Sequence, residues 1–138
     1  MSKILNFKLA SIATITIYGA LLIFHLSLII FTGLLSIIPY DIVWGGKMES
    51  KEQLIFFELL SFLIIALCMF LTLIKSKYLK ISKLNKIAHY AMWLFSAYFL
   101  LNTLGNILAK TIFEKSFAVI SILLAILSLR LALEKEVE

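Results

Sequence analysis

The stretch "LIFFELLSFLIIALCMFLTLI" (residues 54–74) contains no glycine, no proline and one charged side chain, Glu58. An uninterrupted apolar run of this length reads as a helix. At ~1.5 Å per residue it covers the ~30 Å hydrocarbon core of a bilayer. Working outward, three further apolar windows lie at 9–38, 88–109 and 117–133. The chain has 138 residues, of which 62% are hydrophobic and 15% charged, so little is left over for a soluble domain. The connections at 39–53, 75–87 and 110–116 are short, which favours antiparallel neighbours. The expected fold is therefore all-α: residues 1–138 form one integral membrane domain, a transmembrane four-helix up-down-up-down bundle.

Charge distribution orients this bundle. Four spans would place both termini and the 75–87 connection on one side. That side carries Lys3, Lys8, Lys75, Lys77, Lys80, Lys83, Lys86, Arg130 and Lys135; the other carries Lys47, Lys51, Lys110 and Lys115. The positive-inside rule then puts both termini in the cytoplasm. The net charge of +5 is explained by this bias and by anionic headgroups, without nucleic acid as a partner.

The first window is thirty residues long, twice a signal-peptide core, and no A-x-A site follows it, so it is expected to be a retained span. It exceeds the core thickness, which predicts tilt or a break near Pro39. Gly45 and Gly46 would then let the chain turn, with Trp44 at the interface. The single cysteine, Cys68, lies inside the second window, which leaves no C-x-x-C redox pair.

Small and weakly polar residues recur at helical spacing in every window. These are His25, Thr32 and Ser36; Glu58, Ser61, Cys68 and Thr72; Asn102, Gly105, Asn106 and Ala109; and Ser121, Ala125, Ser128 and Ala132. In lipid such stripes mark helix–helix contacts. Depth then brings the costliest residues together. Glu58 lies about one turn inside its span. Asn102, Asn106 and Lys110 climb the outer half of the third in steps of four, and Glu114 continues that ladder into the loop. Asp41 and Trp44 follow the first span, and His25 is mid-membrane or slightly further out. No equivalent cluster is expected in the inner half.

Intramembrane ionisable groups nominate a ligand site at Asp41, Trp44, Glu58, Asn102, Asn106, Lys110 and His25. The competing reading is interhelical hydrogen bonding, with Glu58 and Lys110 reaching the interface. No cofactor is expected. His25 and His89 differ by ~24 Å in depth at ~1.5 Å per residue, too far apart for one haem. No metal-ligand spacing such as H-E-x-x-H, Gly-rich phosphate loop or nucleophile elbow is present. Trp44, Tyr40, Tyr78, Tyr90 and Trp93 are expected in the interfacial belt, and most phenylalanines against lipid or core.

The segments "IPYDIVWGGKMESKEQLIFFELLS" (38–61) and "LNTLGNILAKTIFEKSFAVISILLAILSLRLALEK" (101–135) resemble a family of small, uncharacterised bacterial four-span membrane proteins. The resemblance implies the bacterial cytoplasmic (inner) membrane and this fold, without an activity. "FFELLSF" (56–62) is similar, by architecture alone, to the acidic second helix of the sterol-isomerase and sigma-2-receptor type of four-helix protein.

The expected function is non-enzymatic: binding of a small amphiphile, lipid or ion in the outer cluster, closed by Asp41 and the turn at 44–46. A second reading is an ion- or proton-coupled transport component, expected to be a homo-oligomer. A third is a membrane enzyme acting on a lipidic substrate, with Glu58 or Asp41 as acid/base.

Overall fold

The structure, a computed structural model, describes residues 5–35, 37 and 43–135. Four helices account for most of them: α1 (Phe7–Leu34), α2 (Lys51–Lys75), α3 (Asn85–Ile107) and α4 (Ile112–Ala132). No strand occurs among the described residues. Short 3-10 turns precede α2 (Trp44–Gly46) and α3 (Ser82–Leu84).

Side-chain caps mark three of the four starts. Asn6 accepts from the Leu9 amide, Ser50 from Gln53 and Thr111 from Glu114, each satisfying a donor that the first helical turn leaves unpaired. Lys77 adopts a left-handed conformation (φ 63°) just beyond α2. Reversal there lets the Leu79 amide reach back to the Leu73 carbonyl. The α-helical part of α1 stops at Leu34, short of the break expected at Pro39, which lies outside the described residues.

The helices form two hairpins. α1 packs chiefly on α2 and α3 chiefly on α4, and α1–α4 and α2–α3 contacts close the ring. The α1–α2 and α3–α4 connections lie at one end, termed distal. The start of α1, the end of α4 and the 76–84 connection lie at the other, termed terminal.

Three helices are long and apolar enough to cross a membrane: α1, α2 and α4, with mean hydropathies of 2.1, 2.7 and 2.0 in their most apolar windows. The flanks of all four helices carry large exposed side chains, among them Ile23, Leu63, Leu101 and Val119. A surface of this kind needs lipid rather than water, and the protein is a helical-bundle membrane protein. α3 has the length but not the same apolarity, because Asn85, Lys86, His89, Ser96, Asn102 and Asn106 interrupt it.

Burial follows the small-residue stripe on α4 and most of it on α2, while on α1 Thr32 is buried, His25 half-buried and Ser36 outside the described residues. Thr32, Glu58, Cys68, Thr72, Ser121, Ala125, Ser128 and Ala132 are all buried. On α3 the stripe is displaced. The buried line runs through Ala88, Met92, Phe95, Phe99 and Thr103, and a Cβ at Gly105 would meet nothing within 4 Å. Aromatic bulk, not small side chains, fills the α3 side of the core. Alanines allow close approach elsewhere: the Ser96 hydroxyl donates to the Ala125 carbonyl across α3 and α4 at 2.9 Å. In mid-bundle the Tyr18 hydroxyl, fully buried, sits among Cys68, Thr72 and Ser128 without a hydrogen bond of good geometry.

The terminal end is more polar than expected. Lys75 and Arg130 are only 7% and 6% exposed. The Lys75 ammonium donates to His89 Nδ1 (2.9 Å) and to the Glu134 carbonyl (2.8 Å). Arg130 donates through Nε to the Leu5 carbonyl (2.7 Å) and through Nη1 to Glu134 Oε2 (2.8 Å). The inner half thus has a cluster of its own. It joins the start of the chain, the end of α2, the start of α3 and the end of α4.

Close α3–α4 packing makes a direct prediction. Ala125→Leu should lower stability by about 1–3 kcal/mol through overpacking, read as a fall in melting temperature in detergent. Val119→Leu, on the lipid-facing side of the same helix, should leave it unchanged.

Candidate functional site

At the distal end the hairpin register brings α1 and α2 together at His25 and Glu58. Glu58 is 1% exposed, and a carboxyl so placed needs both oxygens satisfied. His25 Nδ1 lies 2.6 Å from Oε2, and the Trp44 indole N–H donates to Oε1 at 2.8 Å. One proton lies between the imidazole and the carboxyl.

Trp44 reaches Glu58 through an unusual backbone. Trp44, Gly45 and Gly46 all have positive φ (54°, 65° and 66°). For a tryptophan this conformation costs about 1–2 kcal/mol. It persists because the indole is held by Glu58 and stacks against Phe57 at 5.1 Å between centroids. The same turn aims the Gly45 amide at Glu114 Oε1, 2.6 Å away.

Glu114 is positioned from its own side by the start of α4. Thr111 caps the helix by accepting from the Glu114 amide, while its hydroxyl donates to Glu114 Oε2 at 2.8 Å. This is a variant of the capping box in a T-x-x-E sequence. The two distal connections are thereby joined, the turn after α1 to the first turn of α4.

Beneath the Trp44 turn is a cavity of about 250 Å³ with walls from all four helices. One wall is aromatic: Phe24, Phe113 and Phe117 lie with centroids 5.2–6.2 Å apart, with Tyr98 and Phe99 also lining the space. His25, Trp44, Glu58, Ser61, Asn102, Asn106, Glu114 and Ser121 bring polar groups to it. Leu21, Ile65, Phe99 and Leu124, all deeply buried, form its floor. The site thus combines an apolar wall with a few convergent polar groups, the usual composition of a small-molecule pocket.

Five of the seven candidate residues meet here: His25, Trp44, Glu58, Asn102 and Asn106. Asn106 lines the cavity but donates its amide to Ser121 Oγ at 3.0 Å, and it is His25 and Trp44 that satisfy Glu58. Lys110 is exposed and does not line the cavity. α3 ends at Ile107, and the four-residue ladder stops one step before Lys110. Asp41 lies outside the described residues. His89 is at the terminal end on Lys75, at the opposite pole from His25. Among the described residues, no group of three or more His, Cys, Asp or Glu is placed to hold a metal ion.

The sequence expectation put most phenylalanines against lipid or core and singled out none, whereas Phe24, Phe113 and Phe117 line the cavity. The i, i+4 spacing of Phe113 and Phe117, directly after the T-x-x-E start of α4, was the available signal. Glu114 was placed in the ladder from α3. Its T-x-x-E context points instead to the turn it caps.

The His25–Glu58 contact should be energetically coupled. His25→Ala strands a buried carboxyl and should cost about 3 kcal/mol. A double-mutant cycle with Glu58→Ala should return an interaction of about 1–3 kcal/mol in equilibrium unfolding. A coupling near zero would show that the two groups are not joined.

No protein-family model matches this chain, and neither a curated protein nor a solved structure is found to be similar to it. The cavity is therefore interpreted on its own geometry.

Proposed function

We propose that this protein binds a small amphiphile in the distal cavity, with the head group against Glu58 and the chain along the phenylalanine wall. The observation that carries the reading is the union, in one cavity, of a buried carboxyl–imidazole pair with an aromatic wall. Interhelical hydrogen bonding alone would favour groups packed against one another, not groups around an open space. At about 250 Å³ the cavity holds a head group and the start of a chain, and the remainder would extend among the surrounding lipids.

The polar lining is richer in acceptors than in donors. Glu58 and Glu114 bring carboxyl groups to the lining, which holds no lysine or arginine. That set suits a head group that donates hydrogen bonds, a hydroxyl or an ammonium, over an anionic one. The apolar floor of Leu21, Ile65, Phe99 and Leu124 supports binding over conduction, since transport needs a polar route past that layer. One chain supplies the whole cavity, so the reading does not require a homo-oligomer.

The same proposal includes the membrane topology. With α3 as a fourth span, both termini share one side, and the nine-to-four division of basic residues assigns that side to the cytoplasm. The setting is then the bacterial cytoplasmic membrane, with the cavity in the outer leaflet.

Two measurements test these statements. In native mass spectrometry the wild type should retain dodecylamine or dodecanol in preference to dodecanoic acid. Glu58→Gln should weaken that retention roughly tenfold, the value of one charge-assisted hydrogen bond. Equal retention by the variant, or preference for the acid, would refute the site. For topology, cysteines placed at the exposed Lys80 and Lys110 should react with an impermeant maleimide only from the cytoplasmic side and only from the outer side, respectively. Labelling of both from one side would remove α3 from the spans.

A further inference from the structure

The terminal end has a second concavity that the amphiphile reading does not use. It lies between the start of α3 and the end of α4, has a volume of about 350 Å³, and is lined by His89, Tyr90, Trp93, Ala132, Leu133 and Lys135. Its four polar residues can all donate hydrogen bonds, and none carries a carboxyl group. The imidazole is committed to that role by its neighbour. A lysine ammonium has only hydrogens to give, so the 2.9 Å contact from Lys75 makes His89 Nδ1 the acceptor. Nε2 must then carry the ring proton.

The charges around the groove point the same way. Among the described residues, Lys75, Arg130 and Lys135 surround a single carboxylate, Glu134, which is already paired with Arg130. The 76–84 connection adds Lys77, Lys80 and Lys83, and Lys86 follows in the first turn of α3. Lys75 and Arg130 are buried and each donates to a main-chain carbonyl, so these two cations are fixed in place, unlike flexible surface side chains. Exposed Trp93 and Tyr90 flank the groove, as aromatic residues do at a membrane interface.

We propose that this groove binds the phosphate of an anionic phospholipid in the leaflet at the terminal end. Lys135 and the His89 Nε2–H would hold the phosphate oxygens. Trp93 and Tyr90 would lie at the glycerol level, and Leu133 and Ala132 would face the first carbons of the chains. Free inorganic phosphate shares the recognised chemistry, and the test separates the two sources.

The full-length protein is purified in a neutral detergent and examined by native mass spectrometry and thermal unfolding. Probes are dioleoyl phosphatidylglycerol, dioleoyl phosphatidylcholine and inorganic phosphate. One phosphatidylglycerol should be retained and raise the melting temperature, whereas phosphatidylcholine should do neither. Lys135→Glu should cut that retention by about tenfold, as expected for reversing one interfacial charge. The same reversal at Lys80, outside the groove, should change it less than about twofold, as for a solvent-screened charge. Unfolding without lipid reports whether either variant is damaged. Equal losses at Lys80 and Lys135 would reduce the effect to diffuse attraction and overturn the site. Stabilisation by inorganic phosphate with no phosphatidylglycerol retained would overturn the lipid assignment.

Discussion

The Glu58 carboxyl is withdrawn from water two turns inside α2, and each group that satisfies it fixes another part of the distal structure. His25 sets the register of the first hairpin: residue numbers across α1 and α2 sum to about 83 there and again at the Lys51–Gly33 contact. Trp44 draws the connection down onto α2 and holds it in a left-handed turn that a tryptophan would not adopt unaided. The turn then presents the Gly45 amide to Glu114, which Thr111 holds at the start of α4. A continuous sequence of hydrogen bonds therefore runs from α2 through the first connection into the second hairpin. In hydrocarbon, where an unsatisfied polar group costs several kcal/mol, such a sequence restricts the arrangement of all four helices.

The opposite pole meets the same constraint with the opposite sign. Buried Lys75 and Arg130 lie in the last turns of α2 and α4, where the partial negative charge of the helix favours them, and both donate to a main-chain carbonyl and to a side chain. An acceptor-rich cavity and a donor-rich groove thus occupy the two ends of one bundle. Between them are the apolar floor of the cavity and the buried Tyr18, Cys68, Thr72 and Ser128 group. Each polar region has its own chemistry and its own leaflet in the proposed topology.

Much of this was legible in the sequence because depth along a span is arithmetic at a fixed rise per residue. That arithmetic gathered His25, Glu58, Asn102 and Asn106 toward the outer half, and all four line one cavity. It failed for Lys110, since helix ends are set by local capping and α3 stops at Ile107. Side-chain partners were harder still. Asn106 and Glu58 share a cavity but not a bond, because Ser121, His25 and Trp44 lie closer. The α3 stripe was misplaced because small residues were taken as the contact face, whereas Phe95 and Phe99 fill it. The terminal cluster was missed because Arg130 and Lys75 read as topology-determining charges. Two of their anchors, the Leu5 and Glu134 carbonyls, are main-chain groups that no side-chain pattern reports, though the i, i+4 spacing of Arg130 and Glu134 was an available signal.

The chain has only two tryptophans, and the fold assigns one to each polar region. Trp44 is hydrogen-bonded to Glu58 under the distal turn, and Trp93 borders the groove at the far end. Intrinsic fluorescence of this protein is therefore the sum of two spatially separate emitters in different surroundings. Replacing either one yields a native optical probe of the other pole, with no label added and Cys68 left buried and untouched.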